Sequence, residues 1–548
     1  MPRTIVSSAR LCLSISVVLS LLATASLGLA QIQTPTRPLS IEAIYGGELS
    51  APSPSQVRWT PSGNLSFFFS EDEDGRELFE LDVETGERRV LVEAEILAQH
   101  APSAIAATTD ERERTRRTRF GVPDYLWSPS GDRVLLASAG TIALFDVASS
   151  ETTVLAPQKT GVRDPKFSPD GTWVSFVHEH DLWVVPLSGG EEKQITFGGG
   201  ELILHGDVDW VYPEELGVRT GYHWSPDSRH IAFLELDETL VPTYPIVEEV
   251  SRQATVDLQR YPKPGDPNPR VRVGIVDVET GATAWIDRAA EYIPRIDWVD
   301  PNTVAIQLLN RGQDELEIVL VDPTTGRSRS LLTETDPYWI DLTTDLTFID
   351  SGRGFLWTSQ RTGLRHIYLY ERTDEGPARL ARPLTSGEWR VSGIEGVDEE
   401  TGIVYFSANR DNPIGSDLYR VSFRETNGEG ERIERLTSES GTHSIRMRPD
   451  AQVYLDDFSS MTDPGGTTLR YVDGSRELAF DAPPSVEELG IGLVTPEYRL
   501  LDAPDGAKVG LMILRPAEIE PEKKYPLVAY VYGMPGFPTI RDAWGGNR

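Results

Sequence analysis

Cysteine is nearly missing from this sequence. The 548-residue chain has one, Cys12, inside an apolar stretch near the N-terminus. Once that stretch is removed, disulfides, cysteine nucleophiles and thiolate metal sites are excluded. Histidine is scarce as well, with 8 residues. His178 and His180, two apart, are expected on one face of a strand as structural residues, because no cluster elsewhere has metal-ligand spacing. No metal site and no cofactor is expected. No Gly-x-Ser-x-Gly occurs, no serine follows Ser485, and the last histidine is His443. A serine nucleophile with its base is therefore not expected within these residues. Long apolar runs are confined to Leu11–Leu22, preceded by Arg3 and Arg10 and followed by Gly28-Leu29-Ala30. That order reads as a signal peptide over residues 1–30, which sends the rest to the periplasm or outside the cell. An uncleaved signal-anchor is the alternative. Positive charge is in deficit, 52 Lys and Arg against 85 Asp and Glu, a net charge of −33. Such a surface repels nucleic acid and anionic membrane, and it suits a soluble protein that could attract cationic ligands.

What is present is a repeat. An aromatic-x-Pro-x-Gly pattern occurs as Trp59-Thr-Pro-Ser-Gly63, Trp127-Ser-Pro-Ser-Gly131, Phe167-Ser-Pro-Asp-Gly171 and Trp224-Ser-Pro-Asp-Ser228. Degenerate copies start at Trp298 and Phe348, and fainter ones near Val397 and Met447. The intervals are 68, 40, 57, 74, 50, 49 and 50 residues. Each aromatic is expected to end a strand, and each turn to open a hairpin. Strand-like pairs follow, such as Trp173–Val177 with Leu182–Val185, and Thr303–Leu308 with Glu317–Val321. A second turn, Asp-x-x-Thr-Gly, recurs at Asp82–Gly86, Asp277–Gly281 and Asp322–Gly326, and Leu/Ile-Thr pairs recur at Ile195-Thr196, Leu384-Thr385 and Leu436-Thr437. Units of this size with four strands are propeller blades. The expected fold is an all-β eight-bladed β-propeller over residues 51–490, after a segment over 31–50.

Two intervals are long. The first holds Asp110-Glu-Arg-Glu-Arg-Thr-Arg-Arg-Thr-Arg119, read as a short exposed helix. The second holds Glu235–Arg272 with a Pro-rich arm, and such insertions usually carry function. After about residue 490 the pattern changes. Tyr498–Leu501, a turn at Ala503-Pro-Asp-Gly506 and Val509–Leu514 precede Tyr525-Pro-Leu-Val-Ala-Tyr-Val-Tyr532, apolar on both faces like a central strand of an α/β sheet. Residues 491–548 are expected to be the incomplete start of an α/β-hydrolase domain, because a lone hairpin and strand make no stable sheet.

Three stretches bring a known family into view: Asp209-Trp-Val-Tyr-Pro-Glu-Glu-Leu216 with Trp224 after it, Asp237-Glu-Thr-Leu-Val-Pro242 through Tyr261-Pro-Lys-Pro264, and Lys524-Tyr-Pro-Leu-Val-Ala-Tyr-Val-Tyr-Gly533. In residues, order and spacing the chain resembles the dipeptidyl peptidase IV branch of the prolyl oligopeptidase clan from about residue 40 onward. The resemblance implies a serine exopeptidase that releases N-terminal dipeptides, often with Pro or Ala second. It implies that Glu214 and Glu215 bind the substrate's α-ammonium. It also implies that an arginine among Arg112, Arg114 and Arg116 contacts the substrate backbone, and that Tyr532 donates to the oxyanion. Met534 departs from the family's commoner glycine. The arm over residues 245–261 resembles an extension used to form a homodimer. The chemistry is sound: an α-amino group with pKa about 7.7–8.0 is mostly cationic at neutral pH, and two carboxylates can each accept a charge-assisted N–H bond from it. Two extended residues span at most about 7 Å, so a pinned amine fixes where the second peptide bond lies. Two other readings stay open: a non-catalytic envelope propeller that binds a protein partner, and an acylaminoacyl peptidase or oligopeptidase. Against the latter, a blocked or internal amine has no charge for the glutamate pair to hold.

Overall fold

A computed structural model describes residues 40–42, 53–70, 76–99, 125–138, 141–248, 254–424, 432–490, 492, 494–516, 518–533 and 539–545. Eight antiparallel sheets follow one another along the chain, from Ser55 in the first to Asp481 in the last. Seven have four strands in sequential order, and the fourth has five. Every repeat start read from the sequence falls at or near the end of a strand, the first of its sheet except in the fourth, where Ile203–His205 comes before it. Trp59, Trp127, Phe167 and Trp224 are the last residues of Ser55–Trp59, Tyr125–Trp127, Arg163–Phe167 and Tyr222–Trp224. The faint copies also hold, with Val397 in Val391–Asp398 and Met447 ending Thr442–Met447.

The ring closes through eight apolar clusters, one at each junction between neighbouring sheets. Strand periodicity explains this economy. Successive side chains point to opposite faces, so in Leu65–Phe69 the Phe67 ring packs with Leu455 and Phe480 of blade 8, while Phe68 packs with Tyr125 and Val134 of blade 2. In Thr303–Leu309, Val304 and Ile306 face blade 4 and Ala305 and Leu309 face blade 6. Both faces of these strands are buried, which is why they read as near-continuous apolar runs.

Polar side chains lock the junctions. Trp127 Nε1 donates to Ser66 Oγ at 2.8 Å, and Trp224 Nε1 donates to Ser175 Oγ at 2.8 Å, each reaching a second strand of the preceding blade. The threonines of the Leu/Ile-Thr pairs close each blade. Thr196 Oγ1 accepts from Leu182 N and donates to buried Asp181, both at 2.8 Å. Thr437 repeats this with Leu418 N at 3.3 Å and Asp417 at 2.9 Å. Thr385 accepts from Ile367 N at 2.9 Å. The Asp-x-x-Thr-Gly turns close with Gly86 N, Gly281 N and Gly326 N donating to Asp82 O, Asp277 O and Asp322 O.

Alternating strand directions sort the loops. The Pro-Asp-Gly and Asp-x-x-Thr-Gly turns link first to second and third to fourth strands, so they share one face of the ring. Connections between second and third strands, and between blades, share the other face. The hairpin of Thr243–Glu248 with Thr255–Arg260 lies there, pairing Val247 with Val256 and Pro245 with Leu258. Among the described residues no helix is long and apolar enough to cross a membrane.

Two expectations are corrected. His178 and His180 do not share a strand face. The strand ends at His178, and Glu179 and His180 form the turn, with φ of 51° and 65°. Asp207 Oδ2 lies 2.8 Å from His180 Nδ1, so a tertiary partner holds a turn that Glu-His does not favour locally. Tyr525–Tyr532 is not a strand, and Leu527, Val528 and Val531 are 90%, 90% and 85% exposed. A strand needs partners for its N–H and C=O groups, and no described strand runs beside it. The hairpin before it did form, pairing Glu497–Asp502 with Lys508–Ile513. An α/β sheet is thus absent among the described residues. Residues 1–30, the run 110–119 with Arg112, Arg114 and Arg116, and Met534 lie outside the described residues.

Candidate functional site

The acidic pair sits on the face that carries the hairpin of Thr243–Glu248 with Thr255–Arg260, in the excursion between Ile203–His205 and Tyr222–Trp224, two strands of the fourth sheet. A single helical turn, Val211–Glu215, presents it. The motif Asp209-Trp-Val-Tyr-Pro-Glu-Glu-Leu216 divides into an anchor and a display. Val211, Tyr212 and Leu216 are buried, and Tyr212 and Leu216 belong to the core between blades 4 and 5. Glu214 and Glu215 are exposed.

The anchor is specific. Asp209 Oδ1 accepts from Tyr212 N at 3.1 Å, which caps the turn. The Tyr212 hydroxyl accepts from Ile293 N of blade 5 at 3.1 Å. Arg295 Nη1 donates to Leu216 O at 3.2 Å. Gly217, at φ 66°, turns the chain out of the helical turn, and Val218 N returns to Tyr212 O at 2.9 Å. Trp210 packs on Tyr261 at the base of the hairpin arm, with ring centroids 4.3 Å apart. The arm base is closed by Tyr261 N donating to Pro242 O at 2.9 Å.

Among the described residues neither Glu214 nor Glu215 has a hydrogen bond or an ion pair. Most other carboxylates on this face are engaged. Asp207 takes Arg163 at 2.5 Å and His180 at 2.8 Å, and Glu291 takes Arg311 and Asn268, each at 2.8 Å. Glu235 takes Arg272 at 2.6 Å and His205 at 3.0 Å. The field at the turn is negative. Burial raises the Tyr292 phenol, and Glu291 and Glu215 push it the same way against the Asn268 hydrogen bond. Burial lifts Glu238 to about 7, with Asp209 adding to the shift. Burial likewise lifts Asp209 to about 6, opposed by the backbone N–H of Tyr212 and Val211. Two unpaired carboxylates on a rigid turn, inside a negative field, are fitted to a small cation with several N–H donors.

The raised Asp209 pKa has a definite sign. Its folded value of about 6 exceeds the ordinary 3.8. The folded turn therefore holds a proton that the open form lacks between those values, and local stability falls as pH rises from about 4 to about 6. Asp209→Asn keeps the capping acceptor and removes this titration. Hydrogen-exchange protection of the Tyr212 and Leu216 amides should drop between pH 4.5 and 7.5 in the native protein and drop less in the variant. The difference should be on the order of 1 kcal/mol, reduced by residual solvent screening of the mostly buried carboxyl. Equal slopes in the two proteins would exclude Asp209 as the source.

Tyr532 is 48% exposed in an extended stretch. Sequence reasoning singled out Glu214 and Glu215 but passed over Asp209, Tyr212 and Glu238, which hold and charge the site. An Asp three residues before a buried aromatic is a capping signal that was there to be read.

Comparison with known proteins gives three findings. Residues 128–465 match the family model described as the dipeptidyl peptidase IV (DPP IV) N-terminal region. Two curated proteins of Emericella nidulans are similar in sequence. "Probable dipeptidyl peptidase 4" is 27% identical over 543 aligned residues, covering 92% of this chain and 66% of that protein. "Probable dipeptidyl-aminopeptidase B" is 29% identical over 442, covering 72% of this chain and 47% of that protein. The chain thus spans about half to two thirds of the length of these relatives. In fold it is similar to the crystal structure of Porphyromonas gingivalis dipeptidyl peptidase 4, with a TM-score of 0.78 at 23% identity over 93% of this chain and 71% of that one.

Proposed function

Because the chain belongs to the family of dipeptidyl peptidase IV N-terminal regions, we propose that it is the propeller and amine-binding part of a serine exopeptidase that releases N-terminal dipeptides of the X-Pro or X-Ala type. Glu214 and Glu215 grip the substrate's α-ammonium, and one arginine of Arg112, Arg114 and Arg116 contacts its backbone. Tyr532 donates its phenol to the developing oxyanion, and residues 491–548 open an α/β-hydrolase domain. The observation that carries this reading is the pair of unpartnered carboxylates on a turn fixed by Asp209, Tyr212 and Arg295. A rigid site loses little on binding, and its distance to the scissile bond is set in advance. The same pair weighs against an acylaminoacyl peptidase, whose blocked substrate end carries no charge.

The arm over residues 245–261 is assigned to a homodimer. Its Val247, Val256 and Leu258 are 49%, 59% and 64% exposed on one face of the hairpin, and light scattering should give twice the mass of one chain. The protein acts in the periplasm or outside the cell after loss of residues 1–30. The sequence holds no Gly-x-Ser-x-Gly, so this chain alone should not cleave an Ala-Pro chromogenic amide. Turnover abolished by a serine-directed inhibitor would contradict that expectation.

A further inference from the structure

Ten residues after Tyr532, the chain meets the ring, and Asp542 holds it there through its side chain and its backbone. Asp542 uses all four of its polar positions. Its Oδ2 accepts from Asn412 Nδ2 at 2.9 Å and its Oδ1 from Met461 N at 3.1 Å. Its backbone N donates to Ile414 O at 2.8 Å, and its backbone O accepts from Thr442 Oγ1 at 2.7 Å. Two residues on, Trp544 N donates to Ser459 Oγ at 3.1 Å.

The receiving surface is built and rigid. Asn412 and Ile414 lie between the second and third strands of blade 7, Thr442 opens the first strand of blade 8, and Ser459 ends its second strand. The two blades are tied at this point by a parallel bridge between Ser416 and Thr442. A Cβ on Gly415 would come within 2.2 Å of Gly441 O, so the backbones already touch. By strand direction this is the face that carries Glu214 and Glu215. Blade 8 is four blades from blade 4 in a ring of eight, directly across it. The clasp also meets the hairpin that follows the ring, since a Cβ on Gly510 would lie 3.7 Å from Ile540 Cδ1.

We infer that Asp542 is a positioning residue: it pins the polypeptide after Tyr532 to blades 7 and 8, and so limits where Tyr532 can stand relative to the glutamate pair across the ring. Ten residues span at most about 36 Å, so the clasp bounds how far Tyr532 can stand from blades 7 and 8. The role in catalysis rests on the function proposed above; the clasp itself does not.

The test therefore uses readouts that need no peptidase activity. In Asp542→Ala, the amides of Asp542, Met461 and Trp544 should exchange about tenfold faster or more, while the blade cores stay protected. Spin labels at Tyr530 and Glu201, placed on a background with Cys12 replaced by serine, should give a narrow distance distribution that broadens in Asp542→Ala. Asp542→Asn keeps one acceptor and should fall between, which a general loss of folding would not produce. Unchanged exchange and an unchanged distance distribution in Asp542→Ala would overturn the inference. A protein that binds no peptide amine but shows these effects would count against the glutamate assignment and support the clasp.

Discussion

Replacing both Glu214 and Glu215 by glutamine is expected to lower kcat/KM on Ala-Pro p-nitroanilide about a hundred- to ten-thousand-fold, in a form of the protein competent to hydrolyse it. Each carboxylate is assigned one charge-assisted bond to the ammonium, and such bonds contribute about 1.5–3 kcal/mol each. Glutamine keeps the shape and an acceptor but removes the charge, so the loss measures electrostatics and not packing. The side chains are exposed, and the turn that carries them is anchored through Tyr212 and Leu216. Thermal stability should therefore stay within about 0.5 kcal/mol of the native protein. A single substitution should cost about ten- to a hundredfold. Loss of activity accompanied by a large fall in melting temperature would mean that the glutamates support the turn and do not hold substrate.

Phe480→Ala should have the largest effect on the ring itself, about 3–5 kcal/mol in chemical or thermal unfolding. Blades 1 and 8 share no strand, since the first sheet is Ser55 to Val92 in order and the last is Thr442 to Asp481 in order. The junction is held by side chains. Phe480 meets Phe67 edge-on with ring centroids 5.0 Å apart, Arg88 Nη2 donates to Phe480 O at 2.6 Å, and Tyr471 hydroxyl donates to Glu84 at 2.7 Å. At the other seven junctions the two blades are consecutive in the sequence. Here the partners are about four hundred residues apart, so no short connection limits separation once the contact is weakened. Hydrogen exchange should rise first in Leu65–Phe69 and Gly466–Tyr471. A cost below about 1 kcal/mol, or exchange that rises evenly around the ring, would contradict closure by these contacts.

The fold was legible in the sequence wherever the signal was local. Turn chemistry is local: Phe167-Ser-Pro-Asp-Gly171 places its own hairpin, and even the worn copies at Val397 and Met447 mark first strands correctly. Burial on both strand faces was legible too, because runs such as Leu65–Phe69 leave no polar side to face water. What depended on distant partners was not legible. Tyr525–Tyr532 has the composition of a central strand and lacks a described neighbour to make it one. His178 and His180 were placed on one face by spacing alone, whereas Asp207 holds His180 in a tight turn. The threonines of the Leu/Ile-Thr pairs were seen as a repeat, but their bonds to Asp181 and Asp417 join residues 15 and 20 apart across a hairpin. At the site, the glutamate pair came from a family likeness, and only the structure explains its rigidity. Arg112 and Arg116 lie outside the described residues, so their part stays a proposal.

The central claim is that a positive chain end is held at Glu214 and Glu215, and the most direct measurement varies that charge on the ligand. Competition by Ala-Pro-amide should be compared with that of its N-acetylated form, on the native protein and on the double glutamine variant. The account predicts that the free amine competes about a hundredfold better or more on the native protein, and that this advantage disappears in the variant. Equal competition by the acetylated peptide on the native protein would contradict it.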